Sequence, residues 1–151
     1  MEYTKTELES ALLGINAMDD NLILKPCHLY NALALLHGCL GEGSWVGLYL
    51  ANENELLLGP FQGTPACERI AFGKGVVGTC FDNRKTISIP DVRKIENYIC
   101  CDASAISEIC VPINKGDKTI AILDIDLPYV HDFSEEEKTF EGIADAMAKY
   151  L

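Results

Sequence analysis

Apolar residues recur at helical spacing along the first forty positions of the chain. The first set is Leu8, Leu12, Ile15 and Met18. Residues three or four apart share one face of a helix, so this set predicts an amphipathic helix. A second helix is expected to open at Pro26, because proline suits the first turn of a helix. Its apolar face is predicted from Tyr30, Leu33, Leu36 and Leu40.

The apolar pattern then changes to short, strand-like runs. Residues 45–50 and 55–60 predict two strands that are joined by a turn at 52–54. Residues 108–113 and 119–127 predict a second pair of strands with a stronger apolar pattern. These two pairs are expected to form the centre of a meandering sheet.

The stretch between the two strand pairs, residues 61–104, is rich in glycine and proline. It is predicted to consist mainly of loops, with a short helix over 76–83. Loops longer than about 12–15 residues in a compact domain are usually functional. We therefore expect the working residues of the protein in or beside this stretch.

The C-terminal part of the chain predicts a last helix. Ser134 precedes three glutamates, and a serine cap followed by acids in the first turn is typical of a helix start. Its buried face is predicted from Ile143, Met147 and Leu151. Helices at both ends of a meandering sheet predict a single α+β domain over residues 1–151, with the helices on one face of the sheet.

Composition narrows the function classes. The 151 residues include 12 basic and 23 acidic side chains, which gives a net charge of −11. Such a charge argues against nucleic acid as a partner. No run approaches the about 18 consecutive apolar residues of a membrane span, and the acidic, polar start does not resemble an export signal. We therefore expect a cytoplasmic protein without a membrane partner.

Seven cysteines are the unusual feature of the composition. They are Cys27, Cys39, Cys67, Cys80, Cys100, Cys101 and Cys110. Their odd number and the expected reducing compartment predict free thiols as the resting state. The sequence has no Cys-x-x-Cys pair, and its histidines lack ligand spacing, so no metal site is predicted. Buried small side chains or a few reactive thiols remain as alternatives.

Two aspartates mark a candidate binding site in the last predicted strand. Asp124 and Asp126 project to the same side because side chains alternate along a strand. Two carboxylates in an otherwise apolar strand repel each other unless a cation lies between them. Glu108, at the start of the neighbouring strand, is a third candidate. The alternative is a strand end that reaches solvent, where the acids bind nothing.

Aromatic residues and loop cysteines add to this candidate site. Trp45 and Tyr49 share one face of their strand, either as core residues or as walls of a pocket for a cationic ligand with an apolar tail. Cys67 and Cys101 lie in the loop-rich stretch and should be more accessible than the helical cysteines. By itself, neither thiol is assigned a reaction.

Several segments, in this order along the chain, resemble the free methionine-R-sulfoxide reductases, enzymes that are built on a GAF domain. The segments are Trp-Val-Gly-Leu-Tyr-Leu at 45–50, Gly-Pro-Phe-Gln-Gly at 59–63, Ala-Cys-Glu-Arg-Ile at 66–70, Gly-Lys-Gly-Val-Val-Gly at 73–78, Tyr-Ile-Cys-Cys-Asp at 98–102, Ser-Glu-Ile at 107–109 and Leu-Asp-Ile-Asp at 123–126. The resemblance implies a central antiparallel sheet of about six strands with the terminal helices on one face. It also implies a homodimer that reduces free L-methionine (R)-S-oxide, needs no bound cofactor and is regenerated by thioredoxin.

The resemblance also implies a role for each candidate residue. Cys101 matches the attacking thiol, and Cys67 matches a resolving thiol that forms a disulfide with it. Trp45 and Tyr49 match the pocket for the methyl-sulfoxide end of the substrate. The groups that hold the polar end and assist proton transfer match the three carboxylates Glu108, Asp124 and Asp126.

One position departs from the family pattern. Val77 stands where the family commonly has a third redox cysteine. Cys80, three residues later, is an alternative partner for Cys101. Cys100 and Cys110 are interpreted as extra cysteines at ordinarily apolar positions. Two other functions remain open: a GAF sensor that binds a small molecule without catalysis, and a thiol-based redox switch.

Overall fold

The sheet of this protein has six strands in the order β3-β2-β1-β6-β5-β4, and every neighbouring pair is antiparallel. The computed structural model describes residues 2–96, 98, 101 and 103–151. In that part of the chain the strands are β1 (Trp45–Asn52), β2 (Glu55–Gln62), β3 (Arg69–Ala71), β4 (Ile87–Ile89), β5 (Ser107–Lys115) and β6 (Lys118–Leu127). The helices are α1 (Lys5–Asn16), α2 (Lys25–Leu40), α3 (Gly75–Asn83) and α4 (Glu137–Ala148). The predicted α+β architecture is thereby confirmed.

Helices α1, α2 and α4 pack together on one face of the sheet, as predicted. Their buried side chains meet alternate residues of the central strands, such as Leu48 of β1 and Leu123 of β6. Helix α3 covers the opposite face. There Val76 and Cys80 of α3 pack with Tyr49 and with further residues of β1 and β6. The side chains of β1 and β6 therefore line two separate layers.

Local sequence signals explain where the first two helices begin. The Thr4 side chain accepts a hydrogen bond from the Glu7 backbone, and Glu7 binds back to the Thr4 backbone, which closes a capping box at α1. Pro26 lies in the first turn of α2, as predicted. None of the described helices is long and apolar enough to cross a membrane.

Three expectations about helices were wrong in detail. Ser134 does not cap α4, because Asp132 accepts its N–H within a short 3-10 turn, and α4 begins later at Glu137. Tyr30 is 53% exposed, since it lies about 100° around α2 from the buried Leu29. Leu151 follows the end of α4 and packs only partly against the core.

The loop-rich stretch contains more structure than its composition predicted. Helix α3 confirms the expected short helix, but β3 and β4 were not predicted. Each of these strands has only three residues, which is too short for alternation to be visible. They extend the two edges of the sheet and bring the stretch beside the layer that α3 covers.

Candidate active site

The register of β5 and β6 groups three acidic side chains on the face that α3 covers. Glu108 lies directly opposite Asp126, and Cys110 lies directly opposite Asp124. Because side chains alternate along each strand, all four point to the same side. Trp45 of β1 is opposite Asp126 and belongs to this layer as well. Sheet pairing therefore joins the acids, the aromatic residues and one cysteine that sequence reasoning had left aside.

Two of the three carboxylates are deeply buried. Glu108 is 4% exposed and Asp124 is 5% exposed, whereas Asp126 is half-buried. Burial raises the pKa of Glu108, and burial together with the charges of Asp126 and Glu108 raises the pKa of Asp124 well above its ordinary value. Asp124 therefore does not lie at a solvent-exposed end of its strand, which was the alternative interpretation of the sequence. The arrangement favours a shared proton or a bound cation.

The thiol of Cys110 lies between these two carboxylates. Its Sγ is 3.2 Å from Glu108 Oε1 and 3.3 Å from Asp124 Oδ1. Burial and the neighbouring acids raise the pKa of this thiol well above its usual range, so it is an S–H donor. From the sequence, Cys110 is interpreted as a cysteine at an apolar position. On the side that faces Glu108 and Asp124, this expectation is wrong. Cys100, the other extra cysteine, lies outside the described residues.

A disulfide joins Cys67 to Cys101, the pair that the family resemblance implied. Their Cα atoms are 5.3 Å apart, and 34 positions separate them in the chain. Cys67 follows β2 and Cys101 precedes β5, so the loop-rich stretch is closed on itself beside the acids. Cys80 was the alternative partner. It is fully buried, its Sγ lies 3.4 Å from the Cys110 carbonyl oxygen, and burial raises its pKa to about 12.

A small cavity connects the disulfide with the acids. It encloses about 340 Å³ including its open mouth. Its lining residues are Tyr49, Ile70, Lys74, Gly75, Val76, Val77, Tyr98, Cys101, Glu108, Asp124 and Asp126. One redox-active sulfur, three carboxyl groups and several apolar side chains therefore meet in one pocket.

The two predicted aromatic residues occupy different positions. Among the described residues, Tyr49 lines the cavity and Trp45 lies behind it, 1% exposed. The rings of Trp45 and Tyr49 stack with centroids 6.1 Å apart, and Trp45 also stacks on Phe61 at 5.4 Å. The indole N–H donates to the Thr64 carbonyl at 2.9 Å. Trp45 thus supports the wall that Tyr49 forms.

Sequence reasoning missed the contribution of α3 and of Tyr98. The N-terminus of α3 meets the cavity at Gly75, next to the side chain of Lys74. N–H groups of a first helical turn lack intrahelical partners and attract anions, as does a lysine ammonium. Tyr98 lines the cavity and hydrogen-bonds Glu108. Lys74 and Tyr98 both lie in segments that carry the family resemblance, but only the fold brings them close to the acids.

Glu108, Cys110 and Asp124 also form a candidate metal site; a cation held by the acids was one interpretation of the sequence, but the thiol ligand was not predicted. One ligand atom from each lies within 4.8 Å of the others, and no other such group occurs among the described residues. A thiolate with two carboxylates is an acceptable zinc set. Binding would require loss of the Cys110 proton, which the burial of this thiol opposes. With the Cys110 thiol protonated, the cluster is better suited to an organic cation than to a metal ion.

Comparison with known proteins agrees with this geometry. The model of the GAF domain matches residues 29–151. The free methionine-R-sulfoxide reductase of Saccharomyces cerevisiae is 39% identical over 88% of this chain and 78% of its own length. The reduced form of fRMsr of Staphylococcus aureus superposes with a TM-score of 0.84 at 41% identity, covering 99% of this chain and 96% of that one. A free methionine-R-sulfoxide reductase from Neisseria meningitidis, in complex with its substrate, has a TM-score of 0.82 at 31% identity over 97% of this chain and 87% of that one.

Proposed function

The chain belongs to the free methionine-R-sulfoxide reductases of the GAF domain family, and we propose that it reduces free L-methionine (R)-S-oxide to methionine with thiols as the electron source. The observation that carries this proposal is the juxtaposition of a Cys67–Cys101 disulfide with the acid-lined cavity. A disulfide beside a pocket is what a thiol-dependent reduction leaves behind after one turnover.

The charges of the cavity suit both ends of a free amino acid. The carboxylates Glu108, Asp124 and Asp126 supply negative charge for the substrate's ammonium group. Lys74 and the N-terminus of α3, which begins at Gly75, supply positive charge for its carboxylate. A methionine sulfoxide inside a peptide lacks both charges, so this polarity supports the free amino acid as the substrate.

The apolar part of the cavity suits the methyl-sulfoxide end. Tyr49 and Val76 line it, and Trp45 stacks behind Tyr49. The Tyr49 hydroxyl donates to the Cys67 carbonyl at 3.0 Å, so this wall is also tied to a redox cysteine. These contacts support a pose in which the sulfoxide faces the cysteine pair.

The first chemical step transfers the sulfoxide oxygen of the substrate to the sulfur of Cys101. The thiolate of Cys101 attacks the sulfoxide sulfur while a carboxylic acid of the cluster protonates the oxygen. The hydroxyl group then passes to the Cys101 sulfur as the bond between the two sulfur atoms breaks. Burial raises the pKa of Glu108 and of Asp124, which favours the protonated form of one acid of the cluster. Methionine leaves reduced by two electrons, and Cys101 leaves oxidised to a sulfenic acid.

The second step regenerates the thiols. The thiol of Cys67 attacks the sulfenic sulfur of Cys101, water leaves, and the disulfide forms. The dithiol of thioredoxin then reduces this disulfide by exchange and becomes a disulfide itself. Such a cycle needs no bound cofactor, and it suits the reducing cytoplasm, where we place the protein.

Turnover with a chemical reductant tests the function. Dithiothreitol should be consumed in step with methionine when free methionine-R-sulfoxide is supplied. A GAF sensor would bind the sulfoxide without producing methionine, and a redox switch would oxidise its thiols without needing a sulfoxide. Failure to form methionine in the presence of excess dithiothreitol excludes the reductase.

We also propose that two copies of the chain associate through the helical face. Exposed apolar side chains occur on α1, on α2 and on the turn between them: Leu13, Leu22, Ile23, Tyr30 and Leu35. Ile23 is 87% exposed, and exposed apolar patches commonly mark interfaces. Sedimentation of the wild type and of Ile23→Glu tests this: the variant should be monomeric at concentrations where the wild type is a dimer.

A further inference from the structure

Cys110 makes contacts that a cysteine with a purely packing role would not need. Resting on the proposed function, we infer that Cys110 is a positioning residue: its S–H holds the Glu108 and Asp124 carboxyl groups together for the substrate's ammonium group without adding a positive charge of its own. The thiol is no part of the Cys67–Cys101 redox pair. Its role lies in electrostatics and geometry.

The geometry of the three groups supports this inference. Cys110 Sγ lies 3.2 Å from Glu108 Oε1 and 3.3 Å from Asp124 Oδ1, and the side chain is completely buried. Both distances are within reach of an S–H···O hydrogen bond. Because a thiol has only one proton, it donates to one carboxylate at a time. The thiol lies between the two groups, and with its proton on either partner it reduces the repulsion between neighbouring carboxylates.

The groups around this bridge are mostly acidic or neutral. Asp126 of β6 is opposite Glu108, and Tyr98 hydrogen-bonds Glu108. Tyr49 approaches from β1 and Cys80 from α3. Lys74 is the only basic side chain among the described residues that line the cavity, and it lies at the end where α3 begins.

A neutral donor has a specific advantage at this place. A lysine or arginine between Glu108 and Asp124 would neutralise the cluster and compete with the ammonium group of the substrate. The S–H group stabilises the ionised carboxylates with no such competition. Its donation lowers the pKa of Glu108, against the rise that burial causes. Loss of the donor should therefore raise the pH at which the cluster becomes a good cation site.

Cys80 provides a matched control in the same layer. It is also a fully buried cysteine, but its Sγ contacts the Cys110 carbonyl oxygen at 3.4 Å. Replacing Cys80 by alanine removes a buried thiol of equal size without removing a donor to the carboxylates. Any effect specific to Cys110→Ala is then due to the lost S–H contact.

The pH dependence of KM for free methionine-R-sulfoxide tests the inference during turnover. KM should fall as the pH rises through the ionisation of the cluster, and Cys110→Ala should move this midpoint upward by about one pH unit. At a pH below this midpoint, Cys110→Ala should change kcat much less than KM, because the acid that protonates the sulfoxide oxygen stays protonated. Cys110→Ser, which restores a donor, should return the midpoint most of the way, and Cys80→Ala should leave it at the wild-type value. EDTA in all assays removes any contribution from bound metal.

A second readout does not depend on turnover. The infrared S–H stretching band of Cys110 is identified as the band that disappears in Cys110→Ala. In the wild type this band should lie at a low frequency, typical of a hydrogen-bonded thiol, and it should shift as the carboxyl groups titrate. A band that is insensitive to pH, superimposable KM profiles for wild type and Cys110→Ala, or an equal shift in Cys80→Ala would each overturn the inference. Absence of turnover in the wild type, by contrast, would reject the proposed function while the infrared result still decides the thiol contact.

Discussion

The hydroxyl of Tyr49 donates a hydrogen bond to the backbone carbonyl of Cys67 at 3.0 Å. One strand of the central sheet thereby fixes the position of the loop that carries a redox cysteine. Tyr49 is 1% exposed and lines the cavity, so the same side chain forms part of the cavity wall and holds the backbone of a disulfide cysteine. The substrate pocket and the thiol chemistry are mechanically connected at this contact.

Removal of this hydroxyl should slow disulfide formation more than it weakens substrate binding. Tyr49→Phe keeps the ring but leaves the Cys67 carbonyl without this donor, at an expected stability loss of about 1 kcal/mol. We expect a severalfold lower kcat with a KM close to that of the wild type. Stopped-flow measurement of thiol loss in a single turnover checks this. Tyr30→Phe, at an exposed tyrosine, is the matched control.

Selectivity for the free amino acid should follow from the charges of the cavity. N-acetylation of the substrate removes the charge of the ammonium group that Glu108, Asp124 and Asp126 are proposed to bind. The acetylated sulfoxide should lose at least about 100-fold in kcat/KM, because the buried acids are then left without a counter-charge. The S epimer should also be a poor substrate, since in the proposed pose its oxygen would point away from the acids. Equal rates on the acetylated and the free R-sulfoxide would contradict the proposed binding mode.

The cysteine variants should separate the two chemical steps. Cys67→Ser should release one methionine per chain and then stop as a sulfenic acid that dimedone captures. Cys101→Ser should release none. Methionine release without reductant and mass spectrometry of the trapped protein measure both outcomes, with Cys27→Ser as an exposed-thiol control. Turnover by Cys101→Ser would remove Cys101 from its proposed role, and a peptide map linking Cys80 to Cys101 would transfer the resolving role to Cys80.

Asp126 should be needed for activity and not for stability. Asp126→Asn removes one charge from the cluster. The charge of Asp126 contributes to the raised pKa of Asp124, so its removal relieves repulsion between the two side chains. We expect a loss of about 100-fold or more in kcat/KM and an unchanged or higher melting temperature. Steady-state kinetics and thermal unfolding check the two parts. Asp20→Asn, on the surface, should change neither.

The buried acids should make the protein less stable as the pH rises. Because the folded-state pKa of Asp124 is raised, the folded chain binds more protons than the unfolded chain above the ordinary aspartate pKa. The free energy of unfolding should therefore fall as the pH rises above the ordinary aspartate pKa, by about 1.4 kcal/mol for each pH unit over which the folded chain holds one extra proton. Urea unfolding of the reduced protein measures the slope. Asp124→Asn should flatten it, and a slope that Asp124→Asn leaves intact would assign it to other groups.

The sequence by itself determined the features that depend on local periodicity. Apolar residues at helical spacing predicted α1 and α2, and the alternation in β6 put Asp124 and Asp126 on one side. These predictions succeed because a helix turn and a strand pleat are properties of neighbouring residues. The cysteine pair Cys67–Cys101, by contrast, came from the resemblance of ordered segments, and the structure contains that disulfide.

Only the tertiary structure decided which distant residues share the pocket. Cys110 joins the acids because the register of β5 and β6 sets it opposite Asp124, and a shift by one residue would have turned it to the other face. Lys74 and Tyr98 reach the cavity through the packing of α3 and of the chain before β5. Trp45 lies behind Tyr49 because its ring stacks on Tyr49 within the packed layer beneath α3. Its position in the strand alone does not predict whether it reaches the cavity. Pairing register and packing are relations between segments far apart in the chain, so no local pattern contains them.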